Sequence, residues 1–117
     1  MALPAAMPET VHDRVVRHLA NNLRSDPNWL LLGADIQGFA RPAPQAGRIP
    51  DLTAVLDGQL VHFEVETEAT WASAQAMSQY LAFASTGRLV LYVPQGVEQA
   101  AGSLLSSLGI PPVVETY

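Results

Sequence analysis

Ile49-Pro50-Asp51-Leu52-Thr53-Ala54-Val55-Leu56-Asp57-Gly58-Gln59-Leu60-Val61-His62-Phe63-Glu64-Val65-Glu66-Thr67 is the stretch on which the fold turns. Two apolar-rich runs flank Asp57-Gly58, a dipeptide that readily takes the positive φ angles of a two-residue hairpin. The reading is two antiparallel strands, at about residues 49–56 and 60–67. Side chains alternate faces along a strand. His62, Glu64 and Glu66 therefore point one way, joined by Glu68 if the strand runs that far, while Val61, Phe63, Val65 and Thr67 point the other. Asp51, Thr53 and Val55 share a face of the first strand, and Asp51 lies far from the turn, which brings it toward Glu64 and Glu66.

Toward the N-terminus, Arg41-Pro42-Ala43-Pro44-Gln45-Ala46-Gly47-Arg48 has two prolines, a glycine and no apolar period, so it reads as a loop. Before it, the short apolar run Trp29 to Ile36 reads as a buried strand. Val11, Val15, Leu19 and Leu23 recur every four residues among polar neighbours, the stripe of an amphipathic helix over about residues 9–24. Thr10 with Asp13 resembles a capping box, and Pro27 stops the helix by restricting the residue before it.

Toward the C-terminus, Thr70 is placed as the N-cap of a helix from Trp71 to Ser85, with Ala74, Met77, Leu81 and Ala84 as its apolar stripe and Gly87 as its stop. Arg88 to Val93 is almost wholly apolar and predicts an interior strand. A third helix over about residues 97–108 ends at Gly109, and Val113 to Tyr117 adds a short last strand. The order is α-β-β-β-α-β followed by α-β: an α/β class of mixed sheet flanked by helices, in one domain over residues 1–117.

Composition narrows the chemistry. Hydrophobic residues make up 49% and charged residues 15%, a balance for a folded interior rather than a disordered chain. No apolar run is long enough to cross a bilayer, and MALPAAMPET lacks the pattern of a secretion signal, so the expectation is a soluble, cytoplasmic protein with no membrane partner. The absence of cysteine excludes thiolate catalysis and zinc sites built on Cys. All six cationic side chains besides histidine are arginines, so Schiff-base chemistry and a P-loop lysine are excluded too. A net charge of −5 argues against coating nucleic acid by bulk electrostatics, and any such contact must be local.

A half-exposed antiparallel strand alternates apolar and polar by default, which is the plain reading of Glu64, Glu66 and Glu68. Glutamate is depleted in strands, however, and these alternate beside a Pro-Asp strand start. Clustered carboxylates repel and raise one another's pKa unless a cation neutralises them, and such oxygen-rich sets suit Mg²⁺ or Mn²⁺. His62 is expected to partner a carboxylate. His12 and His18, six residues apart, are poorly spaced for shared ligation on one helix face.

Ile49-Pro50-Asp51, twelve residues, then Glu64-Val65-Glu66 resembles the PD-(D/E)xK motif of the restriction-endonuclease-like superfamily, and the order of elements over about residues 9–93 resembles its αβββαβ core. The resemblance implies a metal-dependent nuclease, with DNA favoured over RNA. It implies Mg²⁺ or Mn²⁺ held by Asp51, Glu64 and the backbone carbonyl of Val65. The usual lysine of the motif is Glu66 here, which can take a proton or a second ion but cannot supply positive charge. The metal, or an arginine such as Arg48 acting as a substrate contact, would have to stand in. By the same resemblance Glu9 or Asp13 contributes an acidic group from the first helix, and Gln75 and Gln79 contribute polar substrate contacts from the second. A chain this small and acidic implies a homodimer or a larger protein partner to hold a duplex. The alternative expectation is a non-catalytic interaction or regulatory module on the same scaffold.

Overall fold

In the computed structural model, which describes residues 9–117, the predicted order of elements is the one formed: α1 (Val11–Ser25), β1 (Trp29–Ala34), β2 (Leu52–Leu56), β3 (Gln59–Val65), α2 (Ala74–Ala84), β4 (Arg88–Val93), α3 (Glu98–Ser107) and β5 (Val114–Thr116). The proline-rich lead at Pro4 and Pro8 lies outside the described residues. The strands make one mixed sheet in the order β1-β2-β3-β4-β5. β1, β2 and β3 are antiparallel neighbours, whereas β3-β4 and β4-β5 are parallel. Asp57 and Gly58 both adopt positive φ, 51° and 76°, which matches a type I′ turn and sets the β2-β3 register. The parallel pairs arise because α2 and α3 are crossover helices, each returning the chain to the same end of the sheet.

Helices cover both faces of the sheet. On one face Val16, Ala20 and Leu23 of α1 pack with Leu52, Ala54, Val61, Phe63 and Val65. On the other, Ala76, Tyr80 and Phe83 of α2 and Ala101 and Leu105 of α3 pack with Leu89, Leu91 and Val93. This layering removes the plain reading of an acidic, solvated strand face. His62, Glu64 and Glu66 are 0%, 3% and 9% exposed. The crossover that makes β4 parallel to β3 lays α2 over that face. Gly87 permits the close approach at the start of β4, since a Cβ there would meet the Leu60 carbonyl oxygen at 2.8 Å and the His62 ring at 3.1 Å.

Several boundaries and faces differ from expectation. The β2 ladder starts at Leu52 rather than Ile49. Pro50 has no N–H to give, and Asp51 spends its own N–H on the Glu64 carboxylate while its carbonyl accepts from Asp35 N–H at 2.8 Å. β3 ends at Val65, with Glu68 in the turn beyond and off the strand face. Thr10 caps α1 as predicted, accepting from Asp13 N–H. The stripe of α1 is rotated, however: Val16, Ala20 and Leu23 are buried, and Val11 is 53% exposed. α2 begins at Ala74 with Ser73, not Thr70, as its N-cap. Its inward stripe is Ala76, Tyr80 and Phe83, and Leu81 is 48% exposed. Burying Tyr80 and Phe83 removes more apolar area from water than burying Met77 and Leu81 with alanines, and the Tyr80 hydroxyl is satisfied by the Trp71 carbonyl at 2.8 Å.

Candidate metal centre

The residues at the C-terminal end of β3 and the entrance to β2 hold each other through backbone bonds. Asp51 N–H donates to Glu64 Oε1 at 3.0 Å, and Val65 N–H donates to Asp51 Oδ2 at 2.8 Å. This reciprocal clasp extends the β2-β3 pairing by one position using side chains in place of the ladder. It engages Oδ2 and Oε1 and leaves Oδ1 and Oε2 outside the backbone bonding. The N–H and C=O of one strand residue face the same neighbour, so the Val65 carbonyl is directed to the Asp51 side as well.

A cavity of about 390 Å³ opens here. Asp51, Glu64, Val65 and Glu66 line it, together with His12 from α1, Asp35, Thr70 and Gln79 from α2. His12 Nε2 lies 3.2 Å from Asp51 Oδ2 and its Nδ1 lies 2.9 Å from Asp13 Oδ1. The Glu66 carboxylate accepts from the Thr70 hydroxyl at 2.6 Å, and the Glu66 carbonyl accepts from the Tyr117 hydroxyl at 2.7 Å.

The electrostatics follow from burial. Glu64 is pushed well above the usual carboxylate range, first by burial and then by the nearby charge of Asp51. Burial also raises Glu66, against the Thr70 hydrogen bond that favours its charged form. His12 is raised to about 9, foremost by its hydrogen bond to Asp51, so at neutral pH an imidazolium donates to both Asp51 and Asp13. The pocket thus concentrates carboxylates beside a single cationic imidazole.

Among the described residues no group of three or more His, Asp or Glu side chains converges as a ready-made metal cage. The donor chemistry nonetheless fits a hard divalent cation: two carboxylates and a carbonyl, all oxygen, in a pocket whose negative charge already perturbs Glu64. Such ions keep several waters and need few protein ligands.

Of the residues singled out in the sequence, Asp51, Glu64, Val65, Glu66 and Gln79 share the cavity. Gln75 is exposed on the first turn of α2 and does not line it. Arg48 is half-buried beyond Ile49, pairs through its backbone with Gln45, and is not among the lining residues. Arg41 comes nearer, 3.5 Å from Asp35, which does line the pocket. Glu9 is engaged by Arg17 at 2.8 Å and Asp13 by His12, so the group α1 sends into the cavity is His12. His62 is not a carboxylate partner: its ring bridges the Thr53 and Thr86 hydroxyls at 3.0 Å each, and burial lowers its pKa.

As members of this cavity, His12, Thr70 and Asp35 escaped the sequence reading, which has His12 as a poorly spaced ligand and Thr70 as a helix cap. The signal for His12 was helical: it stands four residues before Val16, in line with the stripe that is actually buried, and the choice of the Val11-Val15 stripe hid it. Comparison with protein-family models, with curated proteins and with solved structures finds no match to this chain.

Proposed function

We propose that this domain is a metal-dependent phosphodiesterase, a nuclease acting on DNA in preference to RNA. The observation that carries the reading is the clasp that sets the Asp51 and Glu64 carboxylates in one cavity with Val65, whose carbonyl is on the Asp51 side of its strand. A bound Mg²⁺ or Mn²⁺ would supply Lewis acidity at phosphorus and lower the pKa of a water. Asp51 and Glu64 would hold the ion, and their bonds to backbone N–H groups orient the two carboxylates. Glu66, its pKa raised by burial and its carboxylate held by the Thr70 hydroxyl, accepts the proton of the attacking water as the ester P–O bond breaks, and the leaving oxygen takes its proton from solvent. His12 brings the positive charge that the missing lysine would otherwise give. A duplex needs more surface than this chain offers, so a homodimer or a larger partner belongs to the proposal.

A second reading, a non-catalytic module on the same scaffold, is favoured by Glu66 in the lysine position and by the absence of any lysine. Two measurements separate the readings: thermal melting with Mg²⁺ or Mn²⁺, and cleavage of single- and double-stranded DNA and of RNA. The nuclease predicts metal stabilisation that Asp51→Ala and Glu64→Ala abolish, together with cleavage. Stabilisation without cleavage points to the module, and the absence of any metal effect refutes both the ion site and the nuclease.

A further inference from the structure

A larger cavity, about 590 Å³, lies on the α1 face of the sheet between α1 and the ends of β4 and β5. Arg14, His18 and Asn22 line one wall, and Tyr92, Glu115 and Tyr117 belong to the other. The first three are spaced four residues apart, so they form a row along α1 at steps of about 6 Å. Tyr92 packs on Phe63 with ring centroids 6.4 Å apart. Tyr117 is fixed at both ends, by its N–H to the Val93 carbonyl at 3.1 Å and by its hydroxyl to the Glu66 carbonyl. Two half-buried rings therefore line the cavity opposite a row of polar groups headed by an exposed arginine with no carboxylate within 4 Å among the described residues.

We propose that this groove binds a single strand of nucleic acid leading to or from the metal centre. Aromatic rings across a cavity from a polar row suit stacked bases with the sugar-phosphate chain along the helix. Three connections join the groove to the Asp51-Glu64 cavity. Tyr117 bonds the Glu66 carbonyl, the Tyr92 carbonyl accepts from Glu66 N–H at 2.9 Å, and Arg14 stands two residues beyond His12 on α1. Both openings lie at the C-terminal ends of the parallel strands, where α/β sheets place ligands. An acidic chain can do this because the contact rests on stacking rather than on a surplus of positive charge, Arg14 being offset by Glu115 on the facing wall. The inference rests on the phosphodiesterase reading for the class of ligand, and on the groove for its place.

The test is fluorescence anisotropy of labelled oligothymidylate and oligouridylate with the full chain, without metal. Binding of either strand is expected, and the ratio of the two affinities reports whether the sugar is read. Tyr92→Leu weakens binding about tenfold through lost stacking, whereas Tyr92→Phe retains it. Arg14→Ala, on the exposed side of α1, flattens the dependence of log affinity on log salt by about 0.7. Glu115→Gln tightens binding about twofold by removing an opposing charge on that wall. Failure to bind either strand, or variants that bind like the parent with unchanged circular dichroism, overturns the groove. Hydrolysis of a small activated phosphodiester by the parent chain in Mn²⁺ needs no groove, so it fails only if the metal centre is misread.

Discussion

Asp51 gives its N–H to Glu64 and takes the N–H of Val65, so each carboxylate is held by a backbone group, and the His12 imidazolium adds a second donor to Asp51. The arrangement fixes two carboxyl groups whose negative charges disfavour one another, which with burial is what pushes Glu64 up. Glu64→Gln keeps an acceptor for the Asp51 N–H while deleting one charge. It is expected to raise the metal-free stability by about 1 kcal/mol, seen as a higher urea midpoint, and to abolish the response to Mg²⁺. His12 gives a pH signature with a definite sign. Its folded pKa of about 9 exceeds the unfolded 6.5, so the folded state binds the proton more tightly. The contribution is full below the unfolded value and is lost as pH rises toward about 9. In metal-free protein the melting temperature should fall across that window, and His12→Gln should flatten the fall. An unchanged slope in the variant would show that His12 does not hold its proton through Asp51.

At the scale of elements, α2 decides what the acidic strand becomes. Laid across β3, it turns His62, Glu64 and Glu66 from surface groups into buried ones and supplies Gln79 to the cavity. Its orientation is testable because the two candidate stripes make opposite demands. Phe83→Ala should cost about 3–5 kcal/mol, since the ring is fully buried, while Leu81→Ala should stay within about 0.5 kcal/mol. Chemical denaturation of the two variants checks this, and comparable losses would restore the Met77-Leu81 stripe. The loop Trp71 to Ser73, expected as the first helical turn, has another use. By starting the helix at Ala74 it leaves the Thr70 hydroxyl for Glu66 and the Trp71 carbonyl for Tyr80.

Over the whole molecule, the sheet brings α1, the β2 entrance and the β3 exit to one end, and the candidate chemistry sits there. Among the described residues no helix is long and apolar enough to cross a membrane. A bound ion should act on the entire cooperative unit, because the clasp ties α1, β2 and β3 together through His12, Asp51 and Val65. Metal at about one hundred times its dissociation constant should stabilise by about 2.7 kcal/mol, a rise in melting temperature of roughly ten degrees for a chain of this size. Differential scanning calorimetry with and without Mn²⁺ measures it, and a transition that splits in two would contradict the single unit.

Much of this was legible locally. Asp57-Gly58 demands positive φ whatever surrounds it, the apolar run from Arg88 to Val93 has few ways to exist outside a sheet interior, and Thr10 caps a helix through a bond three residues away. Element types, their order and the pairing of Asp51 with the Glu64 end of the next strand follow from such short-range constraints. Which side of each helix faces inward does not, because in α1 and α2 two apolar stripes compete within one turn, and only the surface they pack against chooses between them. That choice buried Val16 rather than Val11 and Tyr80 rather than Leu81, carried His12 to Asp51, and closed α2 over Glu64. The sequence by itself determined a hairpin-bearing mixed sheet with carboxylates near one end. Tertiary packing decided that they are buried, that a histidine from α1 meets them, and that Arg48 and Gln75 stand outside, since burial and long-range contact are properties of the assembled layers.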